Sequence, residues 1–404
     1  MTPLPSAPRT QPVSELVSGI GRLRQLDGLR GVAVVAVVLF HTGVLRGGFF
    51  GVDLFFVLSG FVITRALISE ARHSGRVDLM AFLGRRARRL QPAFLVLVPV
   101  VLVATWLAGT ADVRFFAIDD SPWAMAQLTN WYFISDHIDY AGSDGRVFAH
   151  LWSIAVEWQF YLVWPVVVMV LFRRRRQEAV ALAAIVAMAA ASAAAMVHWG
   201  TLDQTRAYEG TDTRAFALLL GAAVATRPVQ QVAASVGRRT AEALTVLLAA
   251  AMLALWIAVP GTDAAWLYRG GLLMHSALAA GLIAILSTRA DTVVGRAAGT
   301  RVPRVIGDAS YSIYLWHWPI VVLMPGSLKT GSHWIEALLV MFASVAVGLL
   351  STRFIEDPIR SRARWARGPA GAAALVAAIA AITLLWLGLP QPDLGTGTVD
   401  VSRL

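Results

Sequence analysis

Long apolar stretches separated by short charged segments dominate this chain. Each stretch has about the 20 residues that an α-helix needs to cross a hydrocarbon core about 30 Å thick. Strands are excluded there, because an open strand in lipid would leave its amides unpaired. The predicted spans are residues 26–44, 49–67, 90–109, 151–172, 179–198, 213–226, 241–259, 268–287, 310–326, 334–353 and 370–389. The pattern predicts an all-α polytopic membrane helix bundle, with a ten-helix core and an eleventh, C-terminal helix.

The remaining segments are short and give a simple domain division. Residues 1–25 are rich in Pro, Ser and Arg, which is typical of a mobile cytoplasmic leader. They do not resemble a signal peptide, because no small-residue cleavage site follows a short apolar stretch. The predicted transmembrane core covers 26–358. Residues 359–404 hold a basic loop, the last span and a short outer tail.

Arginine and lysine are distributed unevenly between the two sides of the bundle. Alternate connecting segments hold 26 of the 35 residues of these types: 1–25, 65–89, 173–178, 227–240, 288–304 and 353–367. Positively charged segments stay cytoplasmic, so we expect a cytoplasmic N-terminus, an extracytoplasmic C-terminus and a location in the cell membrane. The run Arg173 to Arg176 is interpreted as a stop-transfer anchor. Because the arginines lie between apolar stretches, the net charge of +10 does not indicate nucleic-acid binding.

The composition also narrows the chemistry. The chain has no cysteine. This excludes disulfides, zinc–thiolate sites and an acyl-cysteine intermediate. The sequence shows no cluster of metal ligands, and we expect no metal.

The first span carries two ionisable residues, and such residues inside a membrane are candidate functional groups. Arg30 and His41 are eleven residues apart. Eleven steps of 100° end about 20° past three full turns, so both side chains share one face, about 16 Å apart along the helix. The pantetheine arm of coenzyme A has a similar reach. Phosphates held near Arg30 would therefore present a thioester deep in the membrane, unless Arg30 reaches the inner interface and His41 bonds a neighbouring carbonyl.

The second span begins with a carboxylate close to the turn. His41 and Asp53 lie about three residues from the turn that joins the first two spans, and so at similar depth. We expect Asp53 to orient the imidazole and to raise its basicity. Ser59 and Gly60 mark a place where a slender donor or another backbone could approach closely. Plain helix packing is the favoured alternative for these two residues.

The fourth span begins with a polar stripe. His150, Ser153 and Glu157 follow i, i+3, i+7 spacing and share one face. Glu157 is expected roughly 9 Å below the outer surface, near the depth of His41. A carboxylate at that depth is either paired with a buried cation or used in acid–base work. We assign His150 and Ser153, together with Trp152 between them, to acceptor binding.

A basic cluster leads into the third span on the cytoplasmic side. It comprises Arg85, Arg86, Arg88 and Arg89. Arg85, Arg88 and Arg89 are assigned to the phosphates of a nucleotide-like donor. Positive-inside anchoring is the equal alternative.

Two constellations complete the candidate residues. Asp212 and Arg214 open the sixth span on the outer side and are assigned to substrate binding. Tyr314 and His317 are i, i+3 neighbours and are assigned, with Ser59, to donor binding. His317 is expected nearer the cytoplasmic half, apart from His41, and packing is the alternative role. The outer loop 110–146 holds acids and aromatics that suit carbohydrate stacking, although an interfacial aromatic belt explains the aromatics equally well.

These motifs, taken in order, resemble those of the acyltransferase 3 family, membrane O-acyltransferases that decorate polysaccharides, envelope components and some macrolide sugars. The motifs run from the first span to the end of the core: Leu26–Gly31 with His41, Gly51–Asp53, Ser59–Phe61, Arg85–Arg89, Trp152–Ser153 with Glu157, Ser310–Tyr311 with His317, and Glu356–Pro358. The resemblance implies a ten-helix catalytic core, a cytosolic acyl-CoA donor, an alcohol acceptor, and essential roles for Arg30 and His41. Many relatives add an extracytoplasmic hydrolase-like domain after an eleventh helix, so we do not expect transfers that need that domain.

The favoured hypothesis is an O-acyltransferase that uses acyl-CoA, most simply acetyl-CoA, and a carbohydrate or glycoside acceptor. Arg30 and the cluster Arg85 to Arg89 hold coenzyme A, and His41, steered by Asp53, removes the proton of the acceptor hydroxyl. Glu157 shares that work or binds the acceptor. The alternatives are a lipid or glycolipid transporter with a buried charged path, and a glycosyltransferase with a polyprenyl-phosphate donor. The oligomeric state stays open, a homodimer included.

Overall fold

The computed structural model describes residues 23–139, 145–172, 178–363, 365–366, 368–390 and 392. Within them the chain is helical, without strands. The first helices are α1 (Arg24–His41), α2 (Phe50–Ser74), α3 (Leu79–Ala108), α4 (Ala111–Met125), α5 (Thr129–Ser135), α6 (Leu151–Leu171), α7 (Glu178–Trp199), α8 (Gln204–Glu209) and α9 (Thr211–Val224). They are followed by α10 (Arg227–Ser235), α11 (Arg238–Ala258), α12 (Leu272–Thr288), α13 (Val293–Ala298), α14 (Arg301–Asp308), α15 (Ser310–Val322), α16 (His333–Ser351) and α17 (Gly368–Gly388). Shorter π or 3-10 segments are Leu267–Gly271, Gly326–Leu328, Thr352–Glu356 and Pro358–Arg362.

Helix lengths and composition confirm the polytopic all-α bundle. Among the described residues, eight helical segments are long and apolar enough to cross a membrane, or nine if the bent pair of Gln204–Val224 and Arg227–Ser235 forms one span. Every predicted span corresponds to a helix. α1 is not counted among these eight segments because it carries three charged residues, Arg24, Asp27 and Arg30. α15 is not counted because it has only 13 residues.

Two regions predicted as connections are helical. α3 begins at Leu79, where the Asp78 side chain accepts the amide of Ala81, so the arginine cluster lies on the helix itself. The predicted outer loop contains α4 and α5, and Thr110 caps α4 through the amide of Val113. Residues 1–22, the run Arg173 to Arg176 and the tail from 393 lie outside the described residues, so the predictions made for them stay predictions.

Close helix crossings position the site. A Cβ on Gly60 would lie 1.8 Å from the carbonyl oxygen of Leu218, so α2 and α9 touch through their backbones. A Cβ on Gly307 would lie 1.7 Å from the carbonyl oxygen of Asp27, which brings α14 equally close to α1. Small residues permit such approaches between membrane helices. Because α15 begins directly after α14, this second crossing places the start of α15 beside Arg30.

Candidate active site

Three imidazoles meet at one end of the bundle core. Nδ1 of His41, the last residue of α1, lies 3.1 Å from Nε2 of His317 on α15 and 3.0 Å from the carbonyl oxygen of Val37. The ring of His150 at the start of α6 lies 5.5 Å from that of His317, centroid to centroid. His317 and His150 are fully buried. Three segments far apart in sequence thus build one imidazole cluster.

The expected separation of His317 from His41 is wrong. α1 and α15 are held in register by a hydrogen bond from Nε of Arg30 to Oγ of Ser310, 3.3 Å long. The seven residues from Ser310 to His317 then rise about 10 Å. The ring of His41 turns back by one turn to the Val37 carbonyl, as helical side chains do. The two imidazoles therefore reach the same level.

Two adjoining cavities run from the arginine-rich end of the bundle toward this cluster. Their volumes, with the open space at their mouths included, are about 390 Å³ and about 350 Å³, and both are lined by Arg30, Glu157 and Tyr311. The larger one ends at Ser153 and Tyr314. The Tyr314 ring, which lines this cavity, lies 5.1 Å from the His317 ring and 5.6 Å from the His150 ring, centroid to centroid.

The smaller cavity, called the inner cavity below, lies at the arginine-rich end. Some of the predicted arginines border it, but not all of them. Arg86 and Arg89 line it beside Arg30. Arg85 instead forms an ion pair of 2.6 Å with Glu70. Arg88 does not line either cavity in this part of the structure. Arg86 was predicted as a member of the cluster but was left out of the residues assigned to the donor phosphates, although the i, i+3 spacing of Arg86 and Arg89 places both on one helix face.

Glu157 lies between the imidazole cluster and the arginine-rich end of the bundle. It accepts a hydrogen bond from the Ser59 hydroxyl and lines both cavities with Arg30. Because His150 occupies the imidazole level on the same helix, Glu157 is about 10 Å, or two turns, farther along α6. The expectation that it shares the depth of His41 is therefore wrong. Ser153 and Glu157 of α6 line the larger cavity instead. The Ser153 hydroxyl lies 2.6 Å from the Tyr314 hydroxyl.

Asp53 does not face His41. Its Oδ1 lies 3.0 Å from Nη2 of Arg214 and 3.4 Å from the Ser276 hydroxyl, and both ion-pair partners are fully buried. Equal depth beside a turn leaves rotation about the helix axis undetermined, and the close α2–α9 crossing turns Asp53 toward α9. The predicted steering of His41 by Asp53 thus has no geometric support, and His317 occupies that place.

The predicted acceptor residues are divided between three environments. His150 and Ser153 lie at the imidazole cluster and the cavity end. Trp152 is buried with its ring 5.0 Å from that of Tyr208, on the side where Arg214 lies. Asp212 points outward into a two-fold hydrogen-bonded pair with Arg206, of 2.7 and 2.8 Å. Asp212 and Arg214, which were predicted together, therefore have separate partners.

The side of the cluster that faces away from the arginines is covered by α4, α5 and the segment before α6. The Trp318 ring lies 4.7 Å from that of His41, and its indole donates to the carbonyl oxygen of Arg146 at 2.8 Å. The Arg146 guanidinium pairs with buried Asp120 on α4. Burial raises the pKa of Asp120 to about 7, against the lowering effect of Arg146. Trp318 escaped sequence analysis because nothing local distinguishes it from an interfacial tryptophan.

Among the described residues, no group of three or more histidine and carboxylate side chains is arranged to hold a metal ion. The site thus offers imidazoles, hydroxyls, one carboxylate and guanidinium groups. Such a set can bind phosphates at one end and move a proton at the other.

Comparison with known proteins gives a consistent picture. An acyltransferase-domain family model matches residues 23–353. O-acetyltransferase OatA of Staphylococcus aureus is 34% identical over 349 residues, which are 83% of this chain and 57% of that protein. Peptidoglycan O-acetyltransferase OatA of Listeria monocytogenes is 34% identical and putative peptidoglycan O-acetyltransferase YrhL of Bacillus subtilis 36% identical, each over 83% of this chain and 55% of its own length. The chain thus spans little more than half the length of these relatives. No solved structure matches it.

Proposed function

The chain belongs to the acyltransferase 3 family, and we propose that it transfers an acetyl or other short acyl group from acyl-CoA to a carbohydrate hydroxyl. The donor enters from the cytosol at the arginine-lined end, which the charge distribution of the loops assigns to the cytoplasmic side. The acceptor hydroxyl meets the thioester at the imidazole cluster. This topology, with a cytoplasmic N-terminus and an extracytoplasmic C-terminus, is part of the proposal.

The observation that carries the proposal is the pair of adjoining cavities, which share Arg30, Glu157 and Tyr311 and extend from Arg89 to Tyr314, beside His317. Arg86, Arg89 and Arg30 border the inner cavity, which suits the phosphates of coenzyme A. Arg30 and His41 are about 16 Å apart along α1, which matches the reach of pantetheine. The larger cavity reaches Ser153 and Tyr314, and the Tyr314 ring is next to the ring of His317. A soluble donor bound at one end thus delivers its thioester to the other.

The hydrogen bonds around the histidines define the proton-transfer chemistry. Nδ1 of His317 lies 2.5 Å from the carbonyl oxygen of Tyr314, so this nitrogen carries the proton and donates. Nε2 of His317 is then an acceptor for the Nδ1 proton of His41. This assignment leaves the lone pair of His41 on Nε2, the nitrogen that acts as the general base. His317 stabilises the imidazolium that forms, as an orienting partner does in catalytic triads.

The transfer itself needs no further reactant. Nε2 of His41 takes the hydroxyl proton while the hydroxyl oxygen attacks the thioester carbonyl carbon. The carbon–sulfur bond then breaks, and the coenzyme A thiolate takes the proton from His41. General-base assistance of this kind is worth about 10²- to 10⁴-fold in rate.

The relatives support a carbohydrate acceptor, since those of Listeria and Bacillus are named for peptidoglycan. An envelope glycan is therefore the first acceptor to test. A glycolipid or the sugar of a macrolide presents the same chemistry. The lipid transporter remains the alternative, and it predicts no thioester turnover.

The test is release of coenzyme A thiol from acetyl-CoA by the purified protein, with muropeptide or short glycan strands as acceptor. Because the chain has no cysteine, a thiol reagent detects only the product. We expect acceptor-dependent release that His41→Ala abolishes and that His198→Ala, at an exposed position, leaves unchanged. Absence of turnover with every acyl-CoA and glycan tried would refute the proposal.

A further inference from the structure

A third cavity lies apart from the proposed donor path. It lies at the arginine-rich end of the bundle, where α2, α9 and α12 end and α10 begins, and its volume is about 940 Å³ with the open space at its mouth included. Its charged lining comprises Arg65, Arg72 and Arg227. On α2, Arg65 follows Ser59 of the donor cavity by six residues, which is about 240° around the helix. The two cavities therefore open on different faces of α2.

The charges in this third cavity do not balance. Nη2 of Arg72 lies 2.5 Å from Oε1 of Glu178, whose other oxygen accepts the backbone amide of Arg227 at 3.3 Å. The Arg65 guanidinium lies 6.0 Å from the centroid of the Phe61 ring. Among the described residues, neither Arg65 nor the Arg227 side chain forms an ion pair with a carboxylate. Of the three guanidinium groups in this lining, only that of Arg72 contacts a carboxylate among the described residues.

The lining combines this positive charge with apolar surface. Phe61 and Ile68 of α2 face the cavity beside Arg65. Basic pockets between transmembrane helices at the cytoplasmic side suit phosphate headgroups, whose acyl chains follow the apolar wall. Arginine also matches phosphate geometry through parallel N–H donors. A carbohydrate hydroxyl is uncharged, so a cluster of guanidinium groups would not favour it over a phosphate.

We propose that this cavity binds a phosphate group, supplied by the headgroup of an anionic phospholipid. The cavity between α2 and α10 is a site separate from the donor path, so the proposal does not depend on the acyl transfer. A soluble phosphate ester offers the same chemistry, and the experiment separates the two sources.

The experiment uses the full chain in nanodiscs of phosphatidylcholine with increasing phosphatidylglycerol. Native mass spectrometry counts the phosphatidylglycerol molecules retained on the protein. We expect Arg65→Gln/Arg227→Gln to weaken retention about tenfold or more, because each lost charge-assisted contact accounts for at least that factor. Arg238→Gln is the matched control, since Arg238 is an exposed arginine on the same side that lines no cavity described here.

Two further arms complete the design. Ser69→Asp, which adds a negative charge to the lining, should cause a similar loss without removing an arginine, so a folding defect of one variant does not decide the result. Inorganic phosphate and coenzyme A are titrated as competitors. Competition by either supports the phosphate site and assigns it to soluble esters. Equal retention by the wild type and both variants, with no effect of phosphate, would overturn the proposal.

Discussion

Nε2 of His317 lies 3.1 Å from Nδ1 of His41, although 276 positions separate the two residues in the sequence. The contact depends on the register of two helices that run the same way, fixed near their starts by Arg30 and Ser310. It gives His41 an orienting partner where a carboxylate was expected. A neutral imidazole is a weaker hydrogen-bond acceptor than a carboxylate. It nevertheless orients His41 without placing a negative charge in the buried site.

Removal of the orienting imidazole should slow the reaction less than removal of the base. We expect His41→Ala to lower kcat by about 10²- to 10⁴-fold. His317→Ala should lower it about 10- to 100-fold, because one hydrogen bond to a charged group is lost. His317→Gln, which keeps an acceptor for the Nδ1 proton, should recover part of the loss. Steady-state release of thiol measures all three, and an unchanged kcat in His317→Ala would contradict the proton-transfer scheme.

The arginines of the inner cavity should act on donor binding. Arg89→Gln is expected to raise the KM for acetyl-CoA about tenfold or more, since a charge-assisted phosphate contact is lost. Arg86→Gln should behave alike because both side chains line the same cavity. Arg85→Gln is the matched control, as Arg85 pairs with Glu70. A larger effect from Arg85 than from Arg89 would move the donor phosphates elsewhere.

The buried pair of Asp53 and Arg214 should support the fold. Loss of one partner leaves an uncompensated buried charge, so Arg214→Met should cost about 3–5 kcal/mol in unfolding free energy. Asp53→Leu/Arg214→Met should recover much of that stability. Asp212→Asn, in the exposed pair with Arg206, should cost less than about 1 kcal/mol. Thermal unfolding in detergent measures the series.

Asp53→Asn separates this structural role from the steering of His41. The structural role predicts reduced stability together with a kcat near normal in the folded fraction. A large loss of kcat in a fully stable Asp53→Asn protein would restore the orienting role that the contacts of Asp53 do not support.

The stability of the cover over the imidazole cluster, which α4, α5 and the segment before α6 form, should depend on pH through Asp120. Its pKa is raised from 3.8 to about 7 by burial, so the folded state holds a proton that the unfolded state releases. The resulting stability is complete below about pH 4 and is lost as the pH rises through 7. The midpoint of thermal unfolding should therefore fall less between pH 5 and 8 in Asp120→Asn than in the wild type. Asp112→Asn, at an exposed position on α4, should keep the wild-type slope, and parallel slopes in Asp120→Asn would contradict this assignment.

Sequence analysis predicted the helices well because the length of an apolar stretch is a local property. It also placed Arg30 and His41 on one face, since eleven residues on a single helix determine a rotation. The start of α3 was missed by eleven residues because arginine is a good helix former and does not end a helix.

The contacts between helices could not be derived in the same way. Depth in the membrane does not determine which way a side chain faces, so Asp53 was assigned to His41 and instead pairs with Arg214. The depth of His317 depends on where α15 begins and on the close α14–α1 crossing through Gly307. The depth of Glu157 depends on which residue of α6 meets the imidazoles. Each is a tertiary relationship between elements far apart in sequence.

The most direct test of the proposed donor path asks whether coenzyme A reaches the end of the larger of its two cavities, next to the imidazoles. Single cysteines are introduced at Ser153, where that cavity ends, or at Ser235, an exposed position that lines none of the cavities described above. Each variant is treated with coenzyme A activated as a pyridyl disulfide, and intact-protein mass spectrometry measures the adduct. The account predicts an adduct at Ser153→Cys that acetyl-CoA suppresses, while acetyl-CoA leaves any adduct at Ser235→Cys unchanged. No adduct at Ser153→Cys, or one that acetyl-CoA does not suppress, would contradict the single path from Arg89 to His41.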